Sequence, residues 1–303
     1  MTLRHLRIFV EVVNCGKMSE AASKLYISQP SISQTISELE NYYNVKLFDR
    51  LSKKLYLTAP GKELYEMASK IVLAYDEMDR CMSHATDKQE LKLGATFTVS
   101  AIVMMRLLRQ FDEKYKNITA RLVVDRTKVL EHQLLSGELD AAIVEGTIKS
   151  SDLVVKDLMK DELVLACPIT HPFHLRSHVK LRELEGMDFI MREQASKTRR
   201  IFEENLEREH ITVKEKWTCN NPWTIKAAVT EGYGLSILSE RYIRNEVRSG
   251  QIAVARIEGI TMERTFSLAY HKNKYKFPAF LSFLKICDSL SQHEDTVPNA
   301  YLE

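Results

Sequence analysis

The sequence is short of features that would mark a secreted scaffold, a membrane protein or an enzyme. Its five cysteines (Cys15, Cys81, Cys167, Cys219 and Cys287) are an odd number, widely scattered, and form no C-x-x-C. That pattern argues against a disulfide framework and against structural zinc. No apolar run approaches the roughly 20 residues that span a bilayer. Met1 opens directly on an amphipathic segment rather than a signal peptide, so the expected location is the cytoplasm, with no membrane partner. G-x-S-x-G, H-E-x-x-H, a Walker A loop and G-x-G-x-x-G are all missing, and Gly232-Tyr233-Gly234 is a turn rather than a dinucleotide fingerprint. Nothing argues for catalysis or a cofactor. The net charge is only +2, too little for a bulk polycation, and no internal repeat or low-complexity segment is evident.

What is present is ample for folded cores: 303 residues, 45% of them hydrophobic, enough for two domains. Charge is unevenly spread, since residues 1–60 carry eight Lys/Arg against five Asp/Glu. The chain is organised around Ala21–Arg50. Ser28 is placed to cap a helix, Pro30 sits in its first turn where a missing N–H costs nothing, and Ile32, Ile36, Leu39 and Tyr43 form one apolar face. The other face presents Pro30, Ser31, Gln34, Ser37 and Asn41, flanked by Ser33, with Gln29 at the tip. Short hydroxyls and amides there suit base edges and phosphates. Upstream, Ser19 is a candidate cap for a short helix ending near Leu25, which makes a helix-turn-helix pair. The plainer reading is a capped surface helix pair of an all-α domain. Leu3, Leu6, Phe9, Val10 and Val13 predict a first amphipathic helix ending near Gly16, and Leu47–Thr58 a two-stranded wing with Arg50, Lys53 and Lys54 at its turn. Those cations read either as a solvated turn or as phosphate and minor-groove contacts.

Ala22, Leu25, Ser28-Gln29-Pro30-Ser31-Ile32-Ser33, Ile36, Leu39-Glu40, Val45, Leu47-Phe48, Arg50, Leu57-Thr58 and Gly61 fall in order and without gaps. This resembles the N-terminal signature of the LysR-type transcriptional regulators. One departure is Asn44, where that family usually has glycine; asparagine is the next residue most willing to take φ > 0. The resemblance implies an all-α winged helix-turn-helix over 1–60 that binds double-stranded DNA through Gln29, Pro30, Ser31, Ser33, Gln34, Ser37, Arg50, Lys53 and Lys54. A linker helix and hinge follow over 61–89. Leu64, Met67/Ala68, Ile71, Ala74/Tyr75, Met78 and Cys81/Met82 repeat in steps of three and four, a coiled-coil-like seam. It serves either to pair two subunits, with Leu64, Ile71, Tyr75 and Met78 as dimerisation residues, or to pack on the chain's own second domain. Family habit implies a homodimer, expected to assemble into a homotetramer, a partly dyad-symmetric promoter site, and RNA polymerase as a partner.

From about residue 90 to 303, strands alternate with helices, which predicts α/β with a parallel sheet and right-handed crossovers. Leu93-Gly94-Ala95-Thr96, Gly137 through Gly146, and Glu231-Gly232-Tyr233-Gly234-Leu235-Ser236-Ile237 resemble the family's effector-binding domain. That domain is two-lobed, like a periplasmic solute-binding protein, which implies a first lobe over about 90–161 and 265–303 and a second over about 162–264. A small-molecule effector, expected to be anionic, would bind between the lobes. Thr96, Thr98 and Ser100 stand where one helix begins, Ser196 and Thr198 at another, Asn221 and Trp223 at a third. Each is also open to reading as a simple helix cap, or for Trp223 as filler. Two alternatives are kept: a cysteine-based redox regulator of the same family, through Cys167 or Cys219, and a solute-binding protein without regulatory output. His171, His174 and His178 have helical metal-ligand spacing, but Pro172 interrupts it, so no metal is expected.

Overall fold

The computed structural model describes residues 1–51, 54–83 and 89–292, without the side chains of Arg50, Leu51, Lys54, Glu77, Arg80, Cys81, Ser83, Gln89, Ser291 and Gln292. Lys53, the polar hinge expected at Thr86–Lys88 and the tail beyond residue 292 lie outside the described residues. The chain divides into two compact units, Met1–Asp87 and Lys88–Glu303.

The first unit begins with α1 (Leu3–Cys15), α2 (Met18–Leu25) and α3 (Gln29–Tyr43), followed by a hairpin of β1 (Phe48–Leu51) and β2 (Lys54–Leu57) and by the 25-residue α4 (Ala59–Ser83). Leu6, Phe9, Ala21, Ile32, Ile36, Leu39 and Leu47 close one core, with Ala68 and Val72 of α4 sealing it. Ser28 accepts from the Ser31 amide, Pro30 lies in the first turn of α3, and Asn44 ends it at φ 53° in the left-handed region. Two expectations are corrected. Ser19 caps nothing, because α2 starts one residue before it with Lys17 at the cap position. Tyr43 is exposed rather than buried, lying past the last core contact of α3, its hydroxyl on Met1. Gly61 is obligatory: a Cβ there would stand 2.2 Å from the Leu47 carbonyl oxygen. Thr58 clips the same corner, donating to the Lys46 carbonyl at 2.6 Å and accepting from the Gly61 amide at 3.0 Å.

The second unit opens with β3 (Gln89–Ala95), then α5 (Phe97–Val99), which passes through a π-turn at Ser100–Met104 into α6 (Met105–Lys114). After β4 (Ile118–Val124), α7 (Thr127–Leu135) and β5 (Ala141–Val144) comes the 16-residue β6 (Leu153–Pro168). Next are β7 (His178–Val179), β8 (Asp188–Arg192), α8 (Lys197–Arg208), β9 (Lys214–Cys219) and α9 (Pro222–Thr230). The unit closes with β10 (Ser236–Ser239), α10 (Arg244–Arg248), β11 (Ile252–Ile257), β12 (Glu263–His271) and α11 (Pro278–Gln292).

The sheet is mixed rather than parallel throughout. β4, β3 and β5 are parallel neighbours, but β12 runs antiparallel to both β5 and β6. The reason is topological: β6 carries the chain out of one group of strands and β12 brings it back. Residues Leu153–Glu162 of β6 pair with β12, and Leu163–Pro168 pair with β10 and β11. Packing follows that change of partners. Leu91, Leu93, Phe111, Leu158, Phe266, Phe280 and Phe283 share one core, whereas Leu163, Leu165, Phe189, Phe202, Leu235 and Ile257 share another. β6 and β12 are thus the two straps between two lobes, and the polar groups at their crossing point decide what the seam can hold.

Candidate DNA interface and interlobe site

On α3 the face opposite the core is polar and open to solvent: Gln29, Pro30, Ser31, Gln34 and Ser37 are exposed and Ser33 is half-buried. The helix is held rigidly beneath them. Glu40 accepts from the Leu47 and Phe48 amides and from the Lys46 ammonium, at 2.9, 3.4 and 2.8 Å, so one carboxylate staples α3 to the wing. Burial alone would raise its pKa; the ammonium and the two amides together hold it below the usual carboxylate value. Gln34 is not idle, since its amide donates to Glu38 at 2.9 Å and Glu38 also meets His5 at 3.0 Å. Its carbonyl oxygen remains available as an acceptor. Arg50 faces Leu55, and Leu51 faces Lys54, across the hairpin. The side chains of Arg50 and Lys54 lie outside the described residues. A hollow of about 370 Å³ beside α3 is lined by Met18, Ile36, Ser37, Glu40, Lys46, Phe48 and Asp49. With two carboxylates to one ammonium, it is no seat for a phosphate.

Along α4 the apolar seam splits in two. Leu64 turns inward with Ala68 and Val72 against the first unit's own core, which corrects its place among the dimerisation residues. Met67, Ile71, Tyr75, Met78 and Met82 are all exposed, forming one stripe at helical spacing.

Between the lobes, the residues expected to meet an effector are brought into one network, but not in the expected role. Thr96 donates to Glu145 at 2.7 Å and Thr98 to the other oxygen of the same carboxylate at 3.4 Å. Glu145 in turn lies 3.3 Å from Nη1 of Arg264, whose Nε donates to Asp161 at 2.8 Å. Nη1 also donates to Thr198 of the second lobe at 2.8 Å, and Ser239 donates to Asp161 at 2.6 Å. Every member is buried, Asp161 completely. Burial pushes the Asp161 pKa up, while Arg264 and Ser239 pull the other way. Thr96 and Thr98 therefore do not form a vacant anion seat: a carboxylate of the chain itself takes both hydroxyls. Ser100 is spent on the Phe97 carbonyl at 2.7 Å. Asn221 caps α9 through the Trp223 amide at 2.9 Å, leaving the Trp223 ring exposed. Ser196 stands at the start of α8, buried, and its side chain makes no capping bond. Across the seam Arg200 also reaches Thr147, at 3.5 Å.

Glu145, Asp161, Ser239 and Arg264 escaped the sequence reading. Their only signal was charge inside apolar strand ends, as in Asp140–Glu145, and that pattern does not say which residue partners which.

The cysteines offer little to an oxidant. Burial pushes the thiols of Cys15 and Cys167 up to about 11 and that of Cys287 further still. Cys219 is half-buried, its sulfur accepting from the Asn221 amide at 3.4 Å, and no disulfide forms among the described residues. His171 is occupied as a local cap for the Phe173 amide, and His174 bonds the His171 carbonyl. Among the described residues no helix is long and apolar enough to cross a membrane.

A winged helix-turn-helix on a long helix, followed by two α/β lobes with a polar seam, defines a class: a DNA-binding module coupled to a small-molecule sensor. Comparison with known proteins gives the family. Residues 3–62 match the bacterial regulatory helix-turn-helix protein, lysR family, and residues 84–291 match the LysR substrate binding domain. A "Probable RuBisCO transcriptional regulator" of Porphyra purpurea is 31% identical over 305 residues, covering 97% of this chain and 96% of that one. The "HTH-type transcriptional regulator CysL" of Bacillus subtilis (strain 168) is 28% identical, covering 92% of this chain and 95% of its own. Among solved structures, a full-length OxyR variant from Pseudomonas aeruginosa aligns with TM-score 0.67 at 20% identity, over 97% of this chain and 96% of that chain. An OxyR cysteine mutant of Corynebacterium glutamicum aligns with TM-score 0.59 at 26% identity, over 96% and 92%. The chain belongs to the LysR family of transcriptional regulators, and it carries both the family's DNA-binding domain and its effector-binding domain.

Proposed function

We propose that the protein reads a partly dyad-symmetric promoter site as a homodimer or higher oligomer and changes its grip when a small molecule binds between the two lobes. It is taken to work in the cytoplasm on genes transcribed by RNA polymerase. The observation that carries the DNA half is the outer face of α3, where Gln29, Pro30, Ser31, Gln34 and Ser37 are exposed over a core that fixes their spacing. The stripe of Met67, Ile71, Tyr75 and Met78 supports pairing through α4, because a contiguous apolar face on a 25-residue helix is what a partner helix covers. Two paired subunits put two recognition helices on one side of the duplex, about one helical turn, ~34 Å, apart. Under this reading the effector shifts the setting of the lobes at the strap residues Asp161 and Arg264, and oligomer contacts carry the shift to the DNA.

The test is footprinting with a genomic library of promoter fragments, then with the selected operator. Gln34→Ala and Pro30→Leu should lose discrimination between operator and scrambled DNA by about 1–3 kcal/mol per lost base contact. Both should keep the folded signal of the second unit. Wild-type footprints from both variants would remove α3 from the interface. Ile71→Glu on α4 should shift the protein to monomer in sedimentation, and an unchanged oligomer would place the pairing surface elsewhere.

A further inference from the structure

The interlobe seam has two ends of opposite character. At the first-lobe end stands Glu145, which already takes the hydroxyls of Thr96 and Thr98. The guanidinium nearest to it is committed elsewhere: Arg264 donates through Nε to Asp161 at 2.8 Å, and Asp161 is fully buried. Two carboxylates and one guanidinium leave this buried group one negative charge in excess. Buried charge is costly unless paired, so a simple anion arriving beside Glu145 is disfavoured, and a cation or strong donor is welcome.

The second-lobe end is the reverse. Ser196 begins α8, a 12-residue helix, and is more than nine-tenths buried, yet its hydroxyl has no partner among the described residues and does not cap its own helix. A helix start with free amides and an unspent hydroxyl takes an anion. Arg200, one turn further on and bonded across the seam to Thr147, adds positive charge to that end. The two ends are close. One nitrogen of Arg264 lies 3.3 Å from Glu145 and 2.8 Å from Thr198, two residues beyond Ser196.

We propose that the effector is a small zwitterion of the amino-acid class, its ammonium facing Glu145 and its carboxylate taken by the N-terminus of α8 at Ser196. This rests on the reading of the seam as the effector site. Glu145 is then the residue that sets charge specificity: it rejects plain acids at the first lobe and selects those that also carry an amine.

The test uses the full-length protein in thermal-shift and calorimetric titrations. The probes are the twenty L-amino acids, each beside its des-amino acid and its N-acetyl derivative, with inorganic phosphate as the bare anion. At least one amino acid should raise Tm saturably. Removing or acetylating its amine should weaken binding about tenfold or more, the size of a lost charge-assisted hydrogen bond. Glu145→Gln should weaken the amino acid by a similar factor and leave the des-amino acid unchanged, whereas Ser196→Ala should weaken both. Ligand-free melting and operator binding report whether each variant is folded, and the amine comparison on the wild type needs no variant.

If des-amino acids or phosphate bind the wild type as tightly as any amino acid, and Ser196→Ala weakens them, the charge class is wrong while the seam survives as the effector site. If binding is untouched by both substitutions, the ligand sits elsewhere and both readings fall. A panel in which no amino acid shifts Tm also overturns the proposal.

Discussion

The helix-turn-helix unit and the lobed unit spend their polar side chains in opposite ways. On α3, serines and glutamines stand in solvent, while Ile32, Ile36 and Leu39 beneath them are buried. At the lobe seam, Thr96, Thr98, Glu145, Asp161, Thr198 and Arg264 are buried and bonded to one another. The first arrangement presents groups to a large partner that brings its own hydrogen bonds, so loss of one group should change recognition and leave the fold alone. The second makes the fold itself depend on the groups that would sense the ligand. Removing one of them leaves another without water or partner, and buried polar networks are unforgiving in that respect.

The sharpest way to break this contrast is Arg264→Ala. It would strand Glu145 and Asp161 as unpaired buried carboxylates, and taking one partner from a buried ion pair costs roughly 3–5 kcal/mol. Denaturant unfolding followed by Trp217 and Trp223, both in the second unit, reads the loss. Gln34→Ala on the exposed face should stay within about 0.5 kcal/mol of wild type. Equal costs for the two substitutions would end the distinction between a presented face and a self-paired seam.

The same contrast explains what was legible in the sequence. The recognition helix is local: its cap, its proline, its apolar period and its left-handed stop at Asn44 all fall within Ser28–Asn44, so periodicity suffices. The outward groups follow automatically, as whatever the core does not use. The seam is not local. Arg264 meets Asp161 across 103 residues and Thr198 across 66, and Thr96 meets Glu145 across 49. Helix-start threonines look the same in sequence whether they await a ligand or hold a carboxylate of their own chain. Pattern also fails for one long strand. Leu153–Asp161 of β6 carries Lys156, Asp157, Lys160 and Asp161, which hides a strand whose outer residues are mostly exposed. Leu64 falls into the dimer seam on sequence because a three-four repeat does not say which of two adjacent stripes faces inward.

A smaller effect is expected where the first unit packs backbone on backbone. Gly61→Ala drives a Cβ to 2.2 Å from the Leu47 carbonyl oxygen, so the start of α4 must shift away from the wing. Overpacking of this kind costs about 1–3 kcal/mol. The Thr58 clasp on the Lys46 carbonyl should loosen with it. Thermal melting of an isolated 1–87 fragment beside the full chain would locate the loss in the first unit. A wild-type melting point would show that this corner has slack, and that the first unit tolerates backbone changes as readily as changes on its face.

The smallest effect, and the most selective, concerns Glu40, a nearly buried carboxylate in the unit whose other polar groups look outward. Its pKa is held below the usual value of 4.5 by Lys46 and the Leu47 and Phe48 amides, despite burial. A depressed folded-state pKa contributes stability that is fully present above the unfolded value and disappears as pH falls through the folded one. Glu40→Gln keeps the shape but loses the charge, so at pH 7 it should cost about 1–2 kcal/mol, the range for hydrogen bonds to a charged group. The deficit relative to wild type should shrink once pH drops below about 4.5 and close when the folded carboxylate takes its proton. Denaturant melts of the two proteins at a series of pH values would show it. A deficit that stays constant with pH would mean that Glu40 acts by shape alone, and that the wing is positioned by the Thr58 and Gly61 corner rather than by charge.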